Sequence, residues 1–170
     1  YRAILATTYA KIGAPVKAAF EAFAARTGRR LRLELEPGTY LVANGGSLLA
    51  TVQDTADTGE GGYRFLKLDT GMTELLRPSL YGAQHPVVVI PQTHTVETGR
   101  YIVAGHCCES GDVLTPAPGD PEGLAPRLLA RATRGDLCVI EGAGAYCAGM
   151  SAGHYNSIPE APEVFLFKHG

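Results

Sequence analysis

Tryptophan is absent from this 170-residue chain, methionine occurs only twice, and the formal net charge is just −2. No apolar run approaches the roughly 20 residues that a membrane helix requires, and no signal-peptide pattern is present. Without a basic excess there is no electrostatic case for nucleic acid or an acidic membrane surface as partner. The four cysteines, Cys107, Cys108, Cys138 and Cys147, form no Cys-x-x-Cys pair. That spacing excludes a zinc ribbon, and a chain of this size needs no disulfide staples. Free thiols in a cytoplasmic setting are expected, and no metal. What is present is the composition of a globular domain: 45% hydrophobic, 19% charged, with eight tyrosines for aromatic bulk. The chain starts at Tyr1, inside helix-like sequence, and is expected to be a piece of a longer protein.

Ala14 to Thr27 reads as a helix, with Val16, Phe20, Phe23 and Ala24 at helical spacing and Gly28 just past its end. Leu31 to Glu36 (LRLELE) alternates as a strand does and runs into Pro37-Gly38 and a second apolar stretch, YLVANGGSLLATV. A helix feeding a strand that ends in a loop is the repeating unit of an α/β barrel or doubly wound sheet. Beyond about residue 50 the pattern changes to short β-like runs: YRFLKLD, PVVVI, RYIVAG, DLCVIEG and EVFLFK, punctuated by Gly, Pro, Asp and Ser. Such spacing predicts an antiparallel sandwich or barrel. Asp112 to Glu122 is expected to be an exposed loop and Leu124 to Ala132 a short helix. The expected division is 1–46, the end of an α/β unit, and 47–170, a mainly β domain.

Four stretches carry candidate chemistry. Glu36-Pro37-Gly38 puts a carboxylate at a strand exit, where α/β folds place their sites, and Gly38 lets backbone N–H groups approach a phosphate. An ordinary turn would look the same. In DTGMTELLRPSLYGAQH, Arg77, Tyr81 and His85 would share a face if the segment were helical, but Pro78 disfavours helical backbone at Arg77. Arg and Tyr converging there could clamp a carboxylate; a solvated loop is the plainer reading. In GHCCESGD, His106, Cys107, Cys108 and Glu109 could be a zinc cluster, but adjacent residues rarely reach one tetrahedral ion together. A tuned thiol or two half-buried small residues at a strand end are the alternatives. EGAGAYCAGMSAGHYNS lacks the third glycine of a dinucleotide fingerprint and remains a glycine-rich loop presenting Tyr146, Met150 and Tyr155.

The order of these stretches says more than any one of them. Glu-Pro-Gly, then Asp-x-Gly-Met with Arg-Pro-x-Leu-Tyr, then Cys-Glu-Ser-Gly-Asp, then Gly-Ala-Tyr with Tyr-Asn downstream resemble the C-terminal part of the diaminopimelate decarboxylases. These belong to the alanine-racemase-like class of decarboxylases that use pyridoxal 5′-phosphate (PLP), and the resemblance spans about residues 10 to 168. It implies a mainly β chain: an antiparallel β-sandwich or barrel domain preceded by the last helix and strand of a (β/α)8 barrel. It also implies roles. Glu36 faces the cofactor's pyridine nitrogen and keeps it protonated, the state in which the ring best accepts the electrons left by departing CO2. Pro37, Gly38 and Thr39 lie at the phosphate, and Tyr146 lies against cofactor and substrate. Arg77 and Tyr81 bind the distal end of the substrate. Cys108 is the proton donor, and Glu109, beside it in the catalytic pair, binds the substrate's distal ammonium. The Cys-Glu pair serves the neighbouring subunit's site, so the active unit is a homodimer with shared active sites, acting on a small amino-acid substrate.

Two departures bear on this expectation. The family carries Arg after Glu-Pro-Gly where this chain has Thr39, so one hydroxyl replaces several donors and a fixed charge. The cofactor-anchoring lysine of the family lies in the early barrel strands, and Lys11, Lys17, Lys67 and Lys168 do not match its context. The chain alone is therefore expected to be inactive, its partner being the missing N-terminal barrel. The expected reaction is meso-diaminopimelate to L-lysine plus CO2. Its rivals are a related decarboxylase of carboxynorspermidine, ornithine or a carrier-bound glutamyl group, a non-catalytic decarboxylase-like binding partner, and a free-standing β interaction module.

Overall fold

The computed structural model describes residues 9–167, which divide into two compact units, one ending at Pro37 and one starting at Gly38. In the first, helix α1 (Tyr9–Thr27) starts earlier than the apolar spacing predicts and runs through Pro15. Val16, Phe20, Phe23 and Ala24 are its half-buried positions, as the helical periodicity requires. Gly28 ends it in left-handed backbone (φ +68°), donating its N–H to Ala24 O at 2.9 Å. Leu31–Glu36 does not form the predicted strand, and Leu31, Leu33 and Leu35 are exposed. Alternation gives a segment two faces, but a strand also needs a neighbour to satisfy its N–H and C=O groups. No described residue pairs with this one.

The second unit opens with a single helical turn, α2 (Thr39–Val42), and a 3-10 turn at Ala43–Gly45. Strands β1 (Ser47–Asp57), β2 (Arg64–Leu68), β3 (Val87–Ile90), β4 (Thr98–Ala104), β7 (Arg127–Ala130) and β8 (Leu137–Glu141) form one sheet in the order β3-β8-β1-β2-β4-β7. Helix α3 (Arg77–Tyr81) precedes β3, and β5 (Pro116–Ala117) pairs with β6 (Asp120–Leu124) as a separate ribbon. The two edge strands, β3 and β7, lie alongside each other, so the sheet curls into a nearly closed barrel. Every pairing in it is antiparallel except β2 with β4. A parallel neighbour requires a long crossover, and residues 69–97 supply it with α3 and β3. Inside the curl, Val52, Leu66, Leu68, Tyr101, Val103, Cys138 and Ile140 pack with Leu75 and Leu114 from the loops. Burial pushes the Cys138 thiol up to about 12, so it serves as an inert apolar residue.

Three expectations need correction here. Leu124–Ala132 is not a helix: Arg127–Ala130 pairs with Thr98–Tyr101, and Pro126 keeps Ala125 out of helical backbone. Asp112–Glu122 is not an exposed loop throughout. Asp112, Val113, Leu114, Thr115 and Pro116 are buried, and the exposed residues are Pro118 to Asp120 and Glu122. Of EVFLFK, Glu163–Phe167 has no regular structure, with Val164 to Phe167 at least 75% exposed, and Lys168 lies outside the described residues.

Candidate active site

Three loops at the strand ends, helix α3 and the turn at Gly38-Thr39 carry the candidate residues of the second unit. The first leads from β2 into α3 (residues 69–76), the second follows β4 (residues 105–112), and the third follows β8 (residues 142–157). Arg77 begins α3 with Pro78 in its first turn, where the missing N–H of proline costs nothing. Gly82, left-handed at φ +61°, ends the helix at Tyr81. His85 therefore does not continue a helical face and pairs through Nδ1 with Glu141 O at 3.1 Å. Burial and, less strongly, the Arg77 charge lower its proton affinity, against the pull of the Glu141 carbonyl.

The Arg77 guanidinium lies 5.3 Å from the ring centre of Tyr81 and 5.9 Å from that of Tyr146, with Met150 Sδ 4.0 Å from Nη1. Two rings within cation–π range orient the guanidinium, and its N–H groups can bind an anion. Tyr146 itself sits in left-handed backbone (φ +54°), an uncommon state for a tyrosine. Its loop is held by close contact between backbones. Ala143 donates to Gly46 O and Gly144 to Ala43 O, each at 2.9 Å, and a Cβ on Gly144 would fall 1.9 Å from Val42 O. Gly38 lies beside the same tyrosine: a Cβ there would meet nothing but Tyr146 Oη, at 3.8 Å.

The second loop displays the thiol and the carboxylate. Cys108 is exposed, and its backbone N–H donates to Asn156 Oδ1 at 2.9 Å. Glu109 accepts from Gly111 N at 3.0 Å, from Ser110 Oγ at 3.3 Å and from Tyr155 Oη at 3.4 Å. These bonds, the Gly111 N–H first, hold its carboxyl below the usual carboxylate range, so it is ionised at neutral pH. Cys107 differs from its neighbour. Partial burial, then the Asp112 carboxylate, push its thiol up to about 12, which makes it a poor acid or nucleophile. The third loop thus touches both groups: Tyr146 and Met150 flank Arg77, while Tyr155 and Asn156 hold Glu109 and Cys108. Among the described residues, no hydrogen bond joins Cys108 or Glu109 directly to Arg77, Tyr81 or Tyr146.

This geometry has relatives. Residues 28–144 match the family model for the C-terminal sheet domain of pyridoxal-dependent decarboxylases. The chain belongs to that family. It is 39% identical over 160 residues to diaminopimelate decarboxylase of Escherichia coli K12, covering 90% of this chain and 36% of that one. The same enzyme of Deinococcus radiodurans is 43% identical over 151 residues, covering 89% and 36%. A crystal structure of a diaminopimelate decarboxylase matches with a TM-score of 0.71 at 36% identity, over 86% of this chain and 35% of that one. The Helicobacter pylori diaminopimelate decarboxylase complexed with L-lysine matches with a TM-score of 0.60 at 33% identity, over 79% and 30%. The chain thus spans about a third of the length of the curated relatives it matches.

From Gly38 onward the residues leave room for a cofactor of the family's kind. The side of Gly38 that a Cβ would occupy is open except toward Tyr146 Oη, and Thr39 adds a hydroxyl next to it. Glu36 and Pro37 belong to the first unit. The sequence points to Cys108, Glu109, Arg77, Tyr81 and Tyr146 but gives no role to Asp112, Glu74 or Asn156. Thr70 and Glu74, four residues apart, were a faint signal, since both side chains bond each other at 2.8 Å. Nothing local marks Asp112 as buried.

Proposed function

We propose that this chain is the C-terminal portion of a PLP-dependent decarboxylase that converts meso-diaminopimelate to L-lysine and CO2 in the cytoplasm as a homodimer with shared active sites. Residues 1–46 are the end of its barrel and 47–170 its β domain. The observation that carries the reading is that one chain presents both an exposed thiol next to an ionised carboxylate, Cys108 and Glu109, and, on another element, an arginine near the rings of Tyr81 and Tyr146. A substrate with an amino-acid group at both ends needs recognition of a distal ammonium and a distal carboxylate together, and these residues supply one group for each.

PLP, when bound, withdraws the electrons released at the α-carbon as CO2 leaves. Glu36, Pro37, Gly38, Thr39 and Tyr146 are the residues that would hold it, with Glu36 keeping its ring nitrogen protonated. Arg77 and Tyr81 bind the distal carboxylate, and Glu109 the distal ammonium. Cys108 Sγ holds the proton that replaces the lost carboxyl group on the α-carbon, and takes another from solvent afterwards. Cys108 and Glu109 are exposed on their loop, which suits delivery to a second subunit's site. Thr39 in place of arginine supports one further reading, a related decarboxylase with a different amino-acid substrate.

The complete protein, barrel included, should release CO2 and form L-lysine from meso-diaminopimelate in preference to ornithine or carboxynorspermidine. The 170-residue chain alone should do neither. Preference for another amino acid would overturn the substrate, and turnover by the isolated chain would overturn the need for the barrel.

A further inference from the structure

The Asp112 carboxylate is 3% exposed, and its two oxygens bond to two different loops. Oδ1 accepts the Met72 N–H at 2.7 Å, on the loop that leads to Arg77. Oδ2 accepts the Cys107 N–H at 2.8 Å, directly before Cys108. Its backbone closes the second loop as well: Asp112 O accepts from Gly105 N at 2.9 Å, and Asp112 N donates to Glu109 O at 3.1 Å. Glycine stands at both flanks because nothing larger fits. A Cβ on Gly71 would lie 2.3 Å from the carboxylate, and one on Gly105 2.2 Å.

A second anchor ties the same two loops. Glu74 Oε2 accepts from Thr70 Oγ1 at 2.8 Å, Gly71 N at 3.1 Å and Thr73 Oγ1 at 2.6 Å. With its own proton on Glu74, the Thr73 oxygen accepts from His106 Nε2, 2.7 Å away. Met72 also reaches the third loop, its carbonyl accepting the Ala152 N–H at 3.0 Å. The loops that carry Arg77, Cys108 and Tyr146 are therefore joined by polar contacts centred on residues 70–74, with Asp112 bridging the first two.

We propose that Asp112 is a positioning residue: by holding Met72 and Cys107 through one buried carboxylate, it fixes the loop that presents Cys108 and Glu109 to the second subunit's site. This rests on the decarboxylase reading above. A carboxylate is needed rather than an amide, because both oxygens accept. Asparagine offers one acceptor and would face the other backbone N–H with a donor, leaving it unpaired. The loop would then shift while the apolar core beneath it stayed packed. Displacement of the order of an ångström in such a group is enough to cost about 10–100-fold in rate.

The test is Asp112→Asn in the complete, PLP-loaded protein, with turnover expressed per PLP-loaded site. The expected result is a fall in kcat of about tenfold or more. Alkylation of Cys108 by iodoacetamide, mapped by peptide mass, should change rate by several-fold in the same variant. A purely structural role would lower the yield of loaded enzyme but leave kcat per loaded site and Cys108 alkylation at wild-type values, and that result overturns the proposal. Should Asp112→Asn not accumulate, Thr73→Val loosens the same two loops through their other anchor. It should lower kcat per loaded site by a few-fold with altered Cys108 alkylation, and wild-type values for both would count equally against the proposal. If Cys108→Ala leaves turnover intact, the decarboxylase assignment of Cys108 has failed, whereas a large loss there with an unaffected Asp112→Asn removes only the positioning role.

Discussion

The curled sheet and the three loops at its strand ends are built by opposite means. In the sheet, apolar residues such as Leu66, Leu68, Ile102 and Ile140 are essentially inaccessible to solvent. Their cost of ordering is met by loss of apolar surface from water. In the loops Leu75 and Cys147 add to that core, but the buried polar groups are Asp112, Thr70 and Thr73, while Cys108, Glu109, Tyr81 and Tyr146 face out. The first two loops are held by specific polar bonds to carboxylates, which tolerate no change of donor or acceptor but leave the outer surface free for chemistry. A fold so divided should separate stability from activity: damage to the sheet unfolds the protein, and damage to the loops leaves it folded and slow.

The strongest way to break that separation lies in the cysteine pair. Cys108→Ala in the complete protein should cut turnover by about 100-fold or more, the usual contribution of a placed proton donor. Cys107→Ala, one residue away, should stay within a few-fold, because that thiol is held protonated and half-buried. Equal losses would mean that neither sulfur is the donor. Leu66→Ala is the counterpart in the sheet. Leu66 is 0% exposed, and its truncation should cost ~2–5 kcal/mol of stability, read by denaturant unfolding, with kcat per loaded site unchanged. A loss of kcat without a loss of stability would show the sheet and loops to be one unit. A smaller effect is expected from Thr39→Arg. If the residue lies at the phosphate, PLP should bind about tenfold more tightly, the worth of one added charged hydrogen bond of ~1.5 kcal/mol. An unchanged PLP affinity would place Thr39 away from the cofactor.

The same division explains what could be read from the sequence. Sheet strands such as RYIVAG and DLCVIEG announce themselves by alternation and β-branched residues, and both form where expected. LRLELE carries the same signal and forms no strand, because pairing partners are a property of the whole fold and not of the segment. Arg127–Ala130 failed the other way: Leu-Leu-Ala reads as helix until β4 supplies an edge to pair with. In the loops, the outward residues were legible through the order of the family motifs. The inward ones were not. Asp112 looks like one more polar residue in a turn, and only the arrival of Met72 N from 40 positions away makes it a buried ligand of the backbone.

Asp136 offers the finest test, since it is a buried carboxylate at the start of a sheet strand. It accepts from Gln92 N at 2.9 Å, Thr133 N at 2.7 Å and Thr133 Oγ1 at 3.1 Å, tying the turn before β8 to the end of β3. Burial alone would raise its pKa, but the Gln92 and Thr133 bonds together outweigh it and leave the carboxyl below its ordinary value. A folded value below the unfolded one means that the group favours folding fully above the unfolded pKa of ~3.9. That contribution is lost as pH falls through the depressed folded value. Asp136→Asn should therefore lower the melting temperature of the complete protein at pH 7. It should also flatten the decline of that temperature below about pH 4, where the wild type loses this contribution. If the two melting curves stay parallel from pH 7 down to pH 3, the ionised carboxylate contributes nothing there. Sheet-side stability would then be apolar throughout.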